Sequence, residues 1–246
     1  MGYAGREPAI IITLNKILGK IQHKIIRDFY EIEFLQKSQF FPQKFVHNLT
    51  ETTHSFLIDN LLTHYPNNGL ILNGETINDV TSDGTVATDY FIVDSLADQA
   101  NLSRSLPFIA NSVTLIKDFY EKTQIIATVI NYPILDITLN SHKDTEVFCN
   151  QKRIQITANT NSEPLAIISN IASENSEFYN FNSLAYEALL IFQNKADILI
   201  KSYKDSHQLY AFEFIARKAN FICSVDEEKQ IFKISNNKSI ANTWKK

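Results

Sequence analysis

Glycine is scarce in this 246-residue chain: there are six, and none lies beyond Gly84. Glycine supplies positive φ without steric cost and lets backbone approach a ligand closely. A phosphate site made of glycine-rich turns is therefore excluded from residues 85–246, and neither G-x-G-x-x-G nor the P-loop pattern occurs anywhere. Cysteine is scarcer still. Cys149 and Cys223 supply neither a disulfide framework nor metal-ligand spacing, so a reducing compartment, the cytoplasm, is the expectation. No apolar run is long enough to span a bilayer, and Ile10-Ile11-Ile12 is too short for a signal h-region and has no cleavage site behind it. Positive charge is not in excess: a formal net charge of −4 argues against a nucleic-acid-binding surface spread over the molecule. The six histidines show no metal-ligand spacing, and no G-x-S-x-G elbow or cysteine with a readable catalytic partner is present.

What is there is an ordinary globular composition, 44% hydrophobic and 20% charged, enough for one sizeable core. The expectation is a single domain, 1–246, with an α+β half over 1–145 and an α/β half over 146–246. Ile10, Leu14, Ile17, Leu18, Ile21, Ile25 and Phe29 recur at helical spacing and predict an amphipathic helix over 8–31. Residues 32–50, with Pro42, read as a hairpin or irregular loop, and Thr50 as the N-cap of a helix over 51–64. Tyr65-Pro66-Asn67-Asn68-Gly69 is a turn leading to the short strand Leu70-Ile71-Leu72, and the polar run Thr76–Asp89 reads as a mobile surface loop. Strands are expected over 91–94, 108–116, 124–132, 164–170 and 196–201, a hairpin over 146–157, and helices over 183–192 and 209–219. Asn236–Lys246 reads as a frayed tail.

The centre of the pattern is Phe91–Ile116, where a short apolar strand delivers Asp94 into a polar turn, a common way to build a metal or phosphate site. Aligned without gaps, it resembles the signature of the inositol monophosphatase family, W-[IV]-[IV]-D-P-[IL]-D-G-T-T-N-F-x-H-G-[IL]-P. Asp94 falls on the first metal-binding Asp, Asn101 on the Asn and Leu106-Pro107 on the [IL]-P. The family's second Asp is Ala97, its Gly is Asp98 and its Thr is Gln99. Further anchors follow in the family's order. Arg27–Ser38 is similar to a segment of the alpha-proteobacterial, SuhB-like branch. Phe45-Val46 resembles F-V-[ST]-x-x-D with Thr50 at the Asp. Asn131-Tyr132-Pro133 resembles Y-[DN]-P, and Glu146–Thr157 a G-A-F-x-N-G hairpin without its glycines. The family's metal-bridging Glu falls on Asn73 counting from Pro66, or on Glu75 matching Gly74; Glu75 is favoured because a two-residue slip in a loop is cheap. The family's closing W-D falls on His207-Gln208.

The resemblance implies an α+β, layered αβαβα sandwich of the inositol monophosphatase / fructose-1,6-bisphosphatase type. The first sheet is expected to hold 91–94, 108–116 and 124–132, and the second 165–170, 196–201 and 220–225. It implies a family activity, Mg²⁺-dependent hydrolysis of phosphate monoesters. Mg²⁺ is held through carboxylates, and here Ala97, Gln208 and Thr50 stand where carboxylates are needed. Only Asp94 and Glu75 remain as metal ligands, and Asp98 places a negative charge where the family presents a glycine. The expected protein is therefore a non-catalytic binding protein with no cofactor. From the SuhB-like branch the resemblance further implies a homodimer and a partner in the transcription machinery, with a role in antitermination. The alternative is an active phosphomonoesterase with a site rebuilt from Asp94, Asp98, Glu75 and loop acids Asp79, Asp83 or Asp89.

Overall fold

The computed structural model describes residues 7–37, 43–96, 98–154, 167–170 and 178–236. Helix α1 (Ala9–Lys37) buries Leu14, Ile17, Leu18, Ile21, Ile25 and Phe29 of the expected stripe, with Ile11 buried in place of the half-buried Ile10. It runs beyond residue 31 because Ile32, fully buried, continues the stripe by one more turn. Asp28 lies on the buried side, where Lys24 (3.3 Å) and Arg27 (2.7 Å) neutralise it. The expected loop over 32–50 is thus replaced by helix at both ends. Helix α2 (Gln43–His64) begins well before residue 51, since Val46 and Leu49 join Thr53, Leu57 and Leu61 on one buried face. Thr50 is an interior residue of α2 and not its cap: its hydroxyl donates to the Val46 carbonyl at 2.9 Å.

Eight strands make the first sheet: β1 (Gly69–Leu72), β2 (Glu75–Asn78), β3 (Tyr90–Ser95), β4 (Asn111–Lys117), β5 (Gln124–Tyr132), β6 (Ile137–His142), β7 (Phe148–Cys149) and β8 (Lys152–Arg153). Their order is β2-β1-β3-β4-β5-β6-β7-β8, and only β1 and β3 run parallel. Between β3 and β4 lies the single turn α3 (Gln99–Leu102). The fourth strand starts at Asn111 and not at 108, because Phe108 leaves the sheet to stack on Tyr186, 4.2 Å away. Residues 76–89 are not one continuous loop. Glu75–Asn78 pairs with β1, and a bridge between Val80 and Val86 closes a turn in which Thr81 and Thr85 bond the Asp83 carboxylate.

The second sheet holds β9 (Ile167–Ser169), β10 (Phe178–Tyr179), β11 (Ile198–Ser202), β12 (Ile222–Asp226) and β13 (Ile231–Ser235), ordered β10-β9-β11-β13-β12. Its expected strands are present, with β13 inserted between β11 and β12. The expected stretches 155–157, 164–166 and 237–246 lie outside the described residues.

Helices α4 (Leu184–Phe192) and α5 (Leu209–Lys218) lie between the sheets. The α5 helix packs on β4, β5 and β6 on one side and on β12 on the other, while α4 packs on β11 and β13. One core joins α1 and α2 to the first sheet through Leu70, Phe91, Val113 and Val129. A second joins Ile130, Tyr132 and Leu139 to Leu189, Leu199, Phe212 and Phe232. The result is an α+β sandwich in which apolar stripes, each facing another layer, set the stacking. Among the described residues no helix is long and apolar enough to cross a membrane.

Candidate functional site

A small cleft of about 80 Å³ opens between the end of β3 and the starts of β4, α4 and α5. Its lining includes Asp94, Asp98, Ser112, Ala185, Gln208 and Phe212. Each is placed by local structure. Asp94 is the penultimate residue of β3 and pairs in register with Ser112 of β4. Two residues on, Leu96 turns the chain with φ at +47°, a conformation L-residues other than Asn and Asp seldom adopt. Asp98 then stands at the start of α3, and Gln208 at the start of α5, where its side chain makes no capping bond.

The cleft is acidic, and its carboxylates are largely buried. Asp94 is only 8% exposed, and burial pushes its carboxyl up to about 7, with the nearby charges of Asp205 and Asp98 adding to the rise and a bond from Ser112 opposing it. Asp98 is raised to about 6, again chiefly by burial; a bond from Ser183 and the charge of Lys201 pull it back, and Glu187 pushes it up. The Ser183 hydroxyl donates to Asp98 Oδ2 at 2.5 Å while accepting from the Tyr186 amide, so one side chain caps α4 and grips Asp98. Behind it, buried Glu187 of α4 meets Lys201 of β11 at 2.7 Å and accepts the Phe181 amide at 2.8 Å; Lys201 also donates to Asn180.

The structure brings together Asp94, Asp98 and Gln208 of the residues singled out from the sequence. It does not bring in the others. Ala97 lies outside the described residues. Gln99 is exposed on α3 and does not line the cleft. Glu75, expected as a metal ligand, is exposed on the edge strand β2, because Asn73 and Gly74 at positive φ reverse the chain there. The position beside β3 belongs to Asn73, whose side chain accepts from the Ser95 amide (2.8 Å) and donates to the Ser95 carbonyl (3.3 Å). Asp79 and Asp83 are exposed and Asp89 is half-buried in the 76–89 region, and none of the three lines the cleft.

Asp205 was not singled out from the sequence. It caps the short 3-10 turn Ser206–Gln208 by accepting from the His207 amide, and it lies 3.0 Å from His207 Nδ1. Its carboxylate fills the space beside Gly74, where any Cβ would collide with it. An Asp two residues ahead of a His-Gln helix start was the available signal.

Mg²⁺ takes near-octahedral oxygen coordination, held through carboxylates, and the polar groups of the cleft are already engaged within the protein. Asp98 is taken by Ser183 and Asp205 by the turn it caps, Gln208 is neutral, and among the described residues no three His, Cys, Asp or Glu side chains group to hold a metal.

No protein-family model matches the sequence, and no curated protein sequence does. Solved structures do match the fold. The extragenic suppressor protein SuhB from Bartonella henselae superposes with a TM-score of 0.78 at 19% identity, covering 96% of this chain and 97% of that one. Inositol monophosphatase II from Staphylococcus aureus MSSA476 gives 0.67 at 14% identity over 92% and 93%. The inositol monophosphatase from Anabaena gives 0.68 at 10% identity over 96% and 94%. With two sheets in this strand order and helices between them, the chain has the fold of the inositol monophosphatases and SuhB.

Proposed function

We propose that this protein is a non-catalytic relative of the inositol monophosphatases, kept for binding and acting in the cytoplasm as a SuhB-like regulatory protein. The observation that carries this reading is the state of the cleft: of its two lining carboxylates, Asp98 is bonded to Ser183 and Asp94 to Ser112, and Gln208, which lines the cleft with them, is neutral. The likeness to SuhB supports the choice of class. The proposed partner is a protein of the transcription machinery, engaged through the surface, and the proposed assembly is a homodimer. Purification of the tagged protein from its host should recover RNA polymerase with it; a preparation free of transcription proteins would overturn the partner.

The enzymatic side is tested separately. A ligand that binds the native state stabilises it by mass action, so thermal unfolding should be indifferent to added Mg²⁺ or Mn²⁺, and phosphate release from inositol phosphates should stay at background. A second reading is favoured by one observation, the charge of Asp205 reaching Asp94: a phosphomonoesterase with a site rebuilt from Asp94, Asp98 and Asp205. Metal-dependent turnover that is lost in Asp94→Asn and in Asp205→Asn would establish it and overturn the first.

A further inference from the structure

The ion pair behind the cleft has a third member. Lys201 of β11 and Glu187 of α4 are both buried, and Lys201 Nζ lies 2.9 Å from Glu187 Oε1 and 2.7 Å from Oε2. The same nitrogen lies 3.1 Å from Oδ1 of Asn180, an exposed residue of the segment that leads into α4. That Oδ1 also accepts the Asn182 amide at 3.0 Å. A primary amine, a carboxylate and a carboxamide thus meet at one point. Amide exchange between side chains needs these groups: a nucleophile, an acid–base group and an acyl donor whose carbonyl is polarised. Glu187 Oε1 also accepts the Phe181 amide, whereas Oε2, apart from its contact with Nζ, has no hydrogen-bond partner and is the oxygen free to take a proton.

We propose that Asn180, Glu187 and Lys201 form a self-modification site, at which the folded chain joins Lys201 to Asn180 through an amide bond. Freshly made protein holds the ion pair, and the bond accumulates in it with time. Glu187 takes one proton from the Nζ ammonium, which leaves a neutral amine and removes two buried charges. The Nζ lone pair then attacks Asn180 Cγ as that exposed side chain turns about χ2, and the Asn182 amide holds the oxygen on which negative charge develops. A second Nζ proton, relayed by Glu187, passes to the Asn180 nitrogen; the Cγ–Nδ2 bond breaks and ammonia leaves to solvent. The new amide keeps the third Nζ proton and Glu187 ends as a neutral acid, so atoms and charge balance without a co-reactant. The product ties β11 to the entry of α4 across 21 positions of chain, whether or not the cleft hydrolyses anything.

The test is intact-mass measurement and peptide mapping of the full chain, held folded at pH 8 for several days and sampled over time. The mass should fall by that of one ammonia, and digestion should yield a branched peptide joining Asn180 to Lys201. The denaturant midpoint should rise as the branch accumulates, because a covalent tie restricts the unfolded chain. Asn180→Ala, a change at an exposed residue that leaves the buried pair in place, should keep the full mass, as should Lys201→Arg. Glu187→Gln should form the branch at least about tenfold more slowly. The same chain held in urea should form none, since only folding brings the three groups together. Any of three results overturns the proposal: no branched peptide from folded, unaltered protein; ammonia lost from the Asn180 peptide alone, as a succinimide would lose it; or a branch that forms in Glu187→Gln at the unaltered rate.

Discussion

At Asp94 the sign of the pH dependence follows from burial. Its folded carboxyl titrates near 7, against an ordinary value of 3.8, so the native state holds the proton more tightly than the unfolded chain. The stability this contributes is fully present below about pH 4 and is lost as pH rises through 7; Asp98, raised to about 6, acts in the same direction. Asp94→Asn removes the charged state and should raise Tm more at pH 8 than at pH 5, flattening the profile. Equal shifts at the two pH values would show that Asp94 is hydrated or paired. A second residue-scale effect comes from the shortage of glycine. Among the described residues eleven that are not glycine hold positive φ, five of them Asn, including Asn150, which together with Gln151 turns the β7–β8 hairpin. Asn tolerates this region better than most residues, yet Gly does so without cost. Gln151→Gly, at φ +66°, should stabilise the protein by about 1 kcal/mol in urea unfolding.

Among the elements, the buried pair between α4 and β11 has the largest consequence. Glu187 is fully buried and its partner Lys201 nearly so. Removing one partner strands the other charge, at a cost of roughly 3–5 kcal/mol, whereas replacing both by apolar groups is often neutral. Lys201→Met should therefore lower stability by that amount in denaturant unfolding, and Glu187→Leu in the same chain should restore most of it. A small loss in Lys201→Met would mean that water reaches Glu187. This pair was readable only in outline: a lone acid inside LAYEALLIF and a lone base inside ILIKS each break an apolar run, but sequence does not say that they meet. The stripes themselves were legible. Gln124–Tyr132 appeared with its expected bounds, and the helix over 183–192 differed only in that Ser183 proved to be its cap. Errors came where polar residues sit inside elements. Thr50 bonds backward within α2, as Thr53 does, and looked like a cap in a linear reading. At the cleft, Asp94, Asp98 and Gln208 followed from the resemblance. Asp205 and the Asp98–Ser183 bond did not, since they join segments far apart along the chain.

For the molecule as a whole, the two cores share β5, whose Val129 belongs to the core under α1 and α2 and whose Ile130 belongs to the core around α4 and α5, so neither can be released without exposing the other's apolar surface. Among the described residues, β2 at one edge of the eight-stranded sheet presents an unpaired side, with Ile77 42% exposed and Val86 of the adjoining turn 68% exposed. An edge of this kind can template pairing with another chain, and natural edges commonly carry a lysine against it. Its consequence is colloidal. On heating or concentration, light scattering should rise before the cores unfold, as molecules zip together edge to edge. Ile77→Lys should delay that rise while changing the unfolding free energy by no more than about 0.5 kcal/mol, so the protein's usable shelf concentration would be set at its rim and not in its interior.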